Sequence, residues 1–255
     1  MDLLTLPDLI RFGYVCRSWQ SVSTPSRHKG RLPWLIAPFK NNLPENSSTW
    51  IDSLPFYSVL DNIFYNLDLP EIIDRRICGS SNGWLMTVHE NSDIQLLHPF
   101  SRKVIDLPSL LDMPGINGMK LLNGKLQYKA KYLGRTAWED SCLIRDTYIA
   151  KAIISATPVP LVMVSNINDE LIVCRPEIDY EWKNIENGER EMFGYNDVVY
   201  CEGKFYAVLF DGSLYVVEGL EVHFNTAFAA LIVDFIKSVV LFFDSNSTPV
   251  YFVDD

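Results

Sequence analysis

The sequence predicts a mainly β chain: an incomplete β-propeller of four-stranded antiparallel blades, preceded by a short helical segment. Three observations carry this. From about residue 32 the chain breaks into short runs of strand formers separated by turn residues. These runs recur in sets of about 40–50 residues, the repeat length of propeller blades. No long helical pattern alternates with them, which disfavours a parallel α/β sheet.

The helical segment comes first. In "LPDLIRFGYVCRSWQSVS", apolar side chains fall at Leu9, Phe12, Val15, Cys16, Trp19 and Val22, steps of three and four that make one helix face. Pro7 with Asp8 suits a helix start and Pro25 an end, so residues 8–23 are expected to be helical. Gly13 inside it costs about 1 kcal/mol against Ala.

The strands follow in order. "PWLIAPF" (33–39) is one, and "FYSVL" and "IFYNLDLP" flank a turn at Asp61-Asn62. Between 75 and 108 come "RRICGSS", "GWLMTV", "IQLLHP" and "KVIDLP". A second set, "YIAKAIIS", "LVMVSN", "ELIVCRP" and "EWKNI", runs from 148 to 185. A third, "DVVYC", "KFYAVLF" and "SLYVV", runs from 197 to 217, with Glu202-Gly203 and Asp211-Gly212-Ser213 as turns. The spacing gives about four units over 32–218, and the one at 109–147 is the least legible. The tryptophans in these patterns are expected mostly as core between blades, with one or two exposed for a partner.

Composition excludes several classes. At 48% hydrophobic and 13% aromatic, the 255-residue chain can bury a sizeable core. Residues 1–31 carry Asp2 and Asp8 against Arg11, Arg17, Arg27, Lys29 and Arg31, so they are basic in a chain of net charge −10. The larger acidic part is a poor nucleic-acid binder, because such affinity rests on many cations neutralising phosphates. Five scattered cysteines give no C-x-x-C and no disulfide framework. A reducing compartment, nucleus or cytoplasm, is expected. The apolar run 227–243 carries Asp234 and Lys237 near its middle and is short of the roughly 20 residues a span needs. No membrane partner is expected.

Gly79, Ser81 and Gly83 spell G-x-S-x-G, the pattern of a serine-hydrolase nucleophile elbow. An elbow needs a helix after the serine, yet Ser81 is followed by Gly83-Trp84-Leu85-Met86-Thr87-Val88, a strand sequence. Gly-Ser-Ser-Asn-Gly is also ordinary turn chemistry, with Gly for positive φ and Ser and Asn for local bonds to backbone. Hydrolysis through Ser81 is therefore the minor reading. Four histidines give no metal-ligand spacing. The acidic cluster Asp179, Glu181, Glu186, Glu189 and Glu191 lacks the alternating loop of a calcium site and its Gly, and reads as a solvated blade edge or loop. No catalytic residue, cofactor or metal is predicted.

"LPDLIRFGYVCRSWQSVS" resembles the second half of a plant F-box. "PWLIAPF", "CGSSNGWLMTV", "LLHPFSRKVIDLP", "NDVVYCEGKFYAVLFDGSLYVVE" and "VYFVDD" are similar, in that order, to the β-propeller that follows it in a large plant F-box family, the kink-suppressor type of brassinosteroid signalling. The resemblance implies a partial F-box over 1–26 and a propeller over 32–255. Residues 219–237 match nothing in the family, so strands are expected to be missing after about 218. It further implies a substrate-receptor subunit of an SCF-type E3 ubiquitin ligase, with the F-box on a Skp-type adaptor and the propeller on a target protein. Carried over, Leu6, Pro7, Leu9, Ile10, Val15, Cys16 and Trp19 are the adaptor-binding or packing face. An adaptor-independent propeller interaction module is the alternative.

Overall fold

The computed structural model describes residues 15–16, 18–19, 34–36, 53–58, 62–132, 134–156, 160–185, 194–218, 221–224 and 251–253. Among these, strands form five antiparallel sheets, four with four strands and one with three.

Sheet I combines β1 (Trp34–Ile36), β2 (Ser53–Ser58) and β3 (Ile63–Asp68) with β19 (Tyr251–Val253), in the order β19-β1-β2-β3. Trp34 pairs with Val253 and Ile36 with Tyr251. Sheet II is the meander β4 (Arg75–Ser81), β5 (Trp84–His89), β6 (Ile94–His98) and β7 (Lys103–Leu107). The consecutive antiparallel strands expected over 77–108 are thus present. Sheet IV is β11 (Ile149–Ile154), β12 (Val162–Asn166), β13 (Leu171–Cys174) and β14 (Lys183–Asn184). Sheet V is β15 (Tyr195–Cys201), β16 (Lys204–Leu209), β17 (Leu214–Glu218) and β18 (Glu221–Phe224).

The stretch 109–147 departs from the four-stranded pattern. Sheet III has only β8 (Ile116–Leu122), β9 (Lys125–Tyr132) and β10 (Arg135–Asp140), followed by the short helix α1 (Ser141–Thr147). The Asp140 carboxylate caps that helix, accepting a hydrogen bond from the Cys142 amide.

Turn chemistry sets the hairpins. Asn82 (φ 49°) and Gly83 (φ 78°) link Ser81 to its partner Trp84 in a two-residue turn with both φ values positive, the geometry that matches strand twist. Asn123-Gly124 and Glu202-Gly203 repeat it.

The inner strands of sheets II and IV lie side by side. The Arg76 Nη1 donates to the Ile149 carbonyl at 2.7 Å, and the Ser81 Oγ to the Ile154 carbonyl at 2.8 Å. Between these contacts, Gly79 faces the Ala152 backbone. Both strands advance in the same direction through these pairs, so they run parallel, as innermost strands of adjacent blades do. No strand of sheet III comes between them. β19 flanks β4 on its other side, and β15 flanks β11.

Blade packing explains the near-continuous apolar runs. In β5, Leu85 points into the core shared with sheet I, whereas Met86 and Val88 point into the core shared with sheets III and IV. In β12, Met163 faces sheet V and Val162 and Val164 face the opposite way. Successive side chains leave a strand on opposite faces, and here both faces are buried. Sheet III joins the central core through Tyr128 and Ala130, while Trp182 enters it from the β13–β14 loop and donates Nε1–H to the Pro108 carbonyl.

That loop turns on Asp179. Its carboxylate accepts hydrogen bonds from Arg175 N, Nε and Nη2 and from Lys183 Nζ, at 2.8 to 3.0 Å. The Arg175 bonds, with Lys183 adding to them, hold the Asp179 carboxyl well below the usual carboxylate range. A depressed native pKa gives stability that is present above the unfolded value, about 4, and declines as the pH falls toward the native one. Asp179→Asn is therefore expected to lower the melting temperature at pH 7 and to flatten its decline below about pH 4. Thermal melts followed by circular dichroism from pH 2 to pH 7 check this. Parallel acid limbs for the two proteins would count against the assignment.

Candidate functional site

The predicted helix is described at four residues. Val15, Ser18 and Trp19 are helical, but Cys16 between them is not, so the single continuous helix expected over 8–23 is interrupted there; Cys16 is an exposed free thiol. Val15 is 62% exposed and Trp19 43%. Leu6, Pro7, Leu9 and Ile10 lie outside the described residues, as do Phe12 and the run 227–243.

Ser81 belongs to a hairpin. A strand follows it, as its sequence predicts, and its side chain is buried. Its hydroxyl proton goes to the Ile154 carbonyl, and the Asn82 amide reaches the same carbonyl at 2.7 Å and the Ser81 oxygen at 3.0 Å. The two bonds to Ile154 cross between blades, 72 and 73 residues apart in sequence, and only the Asn82–Ser81 bond is local. Gly79, expected as a turn glycine, sits inside β4 and is not among the residues of positive φ. The G-x-S-x-G pattern is thus a blade-joining hairpin. Ser81→Ala removes one inter-blade hydrogen bond but leaves Asn82 on the Ile154 carbonyl, so a loss of about 1 kcal/mol in chemical-denaturation stability is expected. Unchanged stability would show that the bond contributes nothing.

Three thiols and one imidazole are held away from their reactive forms. Burial pushes the Cys78 thiol up to about 11. A hydrogen bond to Glu90, at 3.0 Å, pushes Cys142 up to about 11. Burial also raises Cys174. Since the thiolate is the nucleophile, none of the three is activated at neutral pH. His98 packs edge-on against Trp84 and its Nδ1 accepts from the Ser101 amide at 3.2 Å. Burial lowers its pKa, which keeps the ring neutral. Among the described residues no group of His, Cys, Asp and Glu has a metal-binding arrangement, and no helix is long and apolar enough to cross a membrane.

A surface that sequence reasoning missed lies on sheet III. In β9, Tyr128 and Ala130 are buried while Lys125, Lys129 and Lys131 are exposed. Lys129 pairs across the strands with Gly118 on one side and Trp138 on the other. The open space at Gly118 admits the Trp138 ring, whose edge would lie 3.8 Å from a Cβ there. Lys120 Nζ stands 4.1 Å from the Trp138 ring centroid, within cation–π range. Trp138 itself is 41% exposed. The signal was present in the sequence: residues 116–138 hold Lys120, Lys125, Lys129, Lys131 and Arg135 and no Asp or Glu, inside a chain of net charge −10.

The KIB1-4 beta-propeller family model matches residues 56–249. The chain belongs to the KIB1-4 β-propeller family. Its relatives include three F-box proteins of Arabidopsis thaliana. F-box protein At4g00893 is 36% identical over 110 residues, 42% of this chain and 26% of the relative. F-box protein At4g12382 is 36% identical over 110 residues, 42% of this chain and 72% of that shorter relative. F-box protein At3g56470 is 32% identical over 108 residues, 42% of this chain and 27% of the relative. The chain thus matches about a quarter of the length of the first and third. In this KIB1-4 propeller the family match begins within β2, and Val15 and Trp19 precede it. Both the inter-blade hairpin at Ser81 and the lysine face of sheet III fall inside it.

Proposed function

We propose that this chain is a substrate-receptor subunit of an SCF-type ubiquitin ligase. The observation that carries the reading is a KIB1-4 propeller whose relatives are named F-box proteins. The exposed helical pair Val15 and Trp19 ahead of it supports the adaptor side. In this reading the helix meets a Skp-type adaptor, the propeller holds the target, and the chain itself catalyses no step. It acts by tethering, which raises the effective concentration of target at the ligase. The carried-over face is Leu6, Pro7, Leu9, Ile10, Val15, Cys16 and Trp19, within a partial F-box over 1–26 ahead of the propeller. The site of action in this reading is the nucleus, the cytoplasm or both. Co-purification with a plant Skp-type adaptor tests the proposal. Retention of adaptor supports it. Failure at high micromolar concentration removes the ligase role and leaves an adaptor-independent propeller.

A further inference from the structure

We infer that the lysine face of sheet III, centred on Trp138, is a docking surface for an acidic, extended peptide segment of the target protein. The inference rests on the receptor reading and names the surface and the chemistry that would do the holding.

Three features converge on this occupant. The first is charge. Lys125 and Lys129 have no carboxylate partner among the described residues, Lys120 sits over Trp138, and of the face lysines only Lys131 meets an acid, Glu170 at 3.4 Å. Such a concentration of cations in an acidic chain is complementary to carboxylates.

The second feature is spacing. Lys125 and Lys129 are on one face of one strand, about 14 Å apart at 3.4 Å per residue. An extended peptide presents alternate side chains at the same pitch, so its carboxylates can match the lysines in register.

The third feature is the ring. Trp138 is 41% exposed with Lys120 over its ring and an edge of the ring beside Gly118, so it offers apolar contact next to the charges. A central tryptophan flanked by cations is the composition of an interface hot spot. A short peptide senses this patch over about one Debye length, 8 to 10 Å at moderate salt. A long nucleic acid would also meet the repulsion of the acidic remainder, so a peptide is the favoured occupant.

The test uses the full chain and a fluorescein-labelled dodecapeptide of alternating Glu and Ser with Leu at its centre. Its all-Gln counterpart and a single-stranded RNA of similar length serve as comparisons. Fluorescence polarisation at low salt is expected to show saturable binding of the Glu peptide, weakening as salt rises, and none of the Gln peptide. Lys125→Glu with Lys129→Glu should weaken binding at least about tenfold. Trp138→Ala should weaken it several-fold, and the melting temperature of each variant should match the parent. No saturable binding of the Glu peptide, binding unchanged by the double reversal, or tighter binding of the RNA would overturn the inference. Adaptor retention is read separately on the helix. Peptide binding without adaptor leaves this surface standing and removes the ligase role. Adaptor binding without peptide does the reverse.

Discussion

Gly79→Val is expected to give a chain that melts about 10 °C or more below the parent, or that fails to accumulate as soluble protein. A Cβ at Gly79 would lie 2.0 Å from the Ala152 carbonyl oxygen, 2.8 Å from its carbon and 3.1 Å from the Ala152 Cα. All three atoms are backbone, so no side-chain rotation relieves the clash. The flanking bonds of Arg76 to Ile149 and Ser81 to Ile154 pin the two strands together at this distance. Either blades II and IV separate, which breaks those bonds and opens the largest core cluster, or β4 distorts. Overpacking costs typically 1–3 kcal/mol and more where the surroundings cannot yield. At about 2–4 °C per kcal/mol for a chain of this size, the upper end of that range gives the stated shift. Gly124→Ala is the comparison. Nothing lies within 4 Å of its Cβ position, and only its φ of +77° opposes the change, so a drop of a few degrees is expected. A Gly79→Val protein that melts with the parent would refute the side-by-side placement of β4 and β11.

Trp19→Ala and Val15→Asp are each expected to abolish adaptor binding while leaving the β-rich circular dichroism spectrum unchanged. Neither side chain belongs to the buried clusters of the sheets, so changing them leaves the β-strands in place. In the proposed adaptor interface, truncating a buried tryptophan commonly costs 2 kcal/mol or more, about 30-fold in affinity. Asp at position 15 would bury an unpaired carboxylate in the same interface, a heavier penalty. The measurement is adaptor retention in a pull-down followed by titration calorimetry. Variants that bind as tightly as the parent would place the adaptor contact elsewhere.

Most strands were legible because local signals agreed. Asn82-Gly83 and Glu202-Gly203 demand turns, and the apolar runs between them have strand length. Three features were hidden for a physical reason. Gly79 reads as turn chemistry in sequence, whereas its role is set by Ala152, a contact between strands far apart in the chain. Sheet III reads poorly as a blade because it lacks a fourth strand and runs into α1. The Ser81 hydroxyl satisfies a carbonyl on another blade, which no local pattern announces. The candidate surfaces split in the same way. Val15 and Trp19 were singled out by an apolar spacing that the non-helical Cys16 interrupts, while the acid-free lysine run 116–138 was readable in sequence but its arrangement around Trp138 needed the register that sets Lys129 between Gly118 and Trp138.

The pairing of β19 with β1 bears on how the chain is made. A ribosome delivers Trp34–Ile36 long before Tyr251–Val253, so the first blade waits for its innermost strand through most of synthesis. Sheets II and IV can assemble on emergence, but β1 then holds an open edge of backbone donors and acceptors, the kind of edge that recruits strands from other chains. Closing a fully flexible loop of this length costs roughly 5 kcal/mol of chain entropy by the logarithmic rule, and the sheets already folded between β1 and β19 lower that cost. The nascent protein is therefore exposed to mispairing for nearly its whole time on the ribosome, and slowing translation should lengthen its dependence on chaperones rather than shorten it.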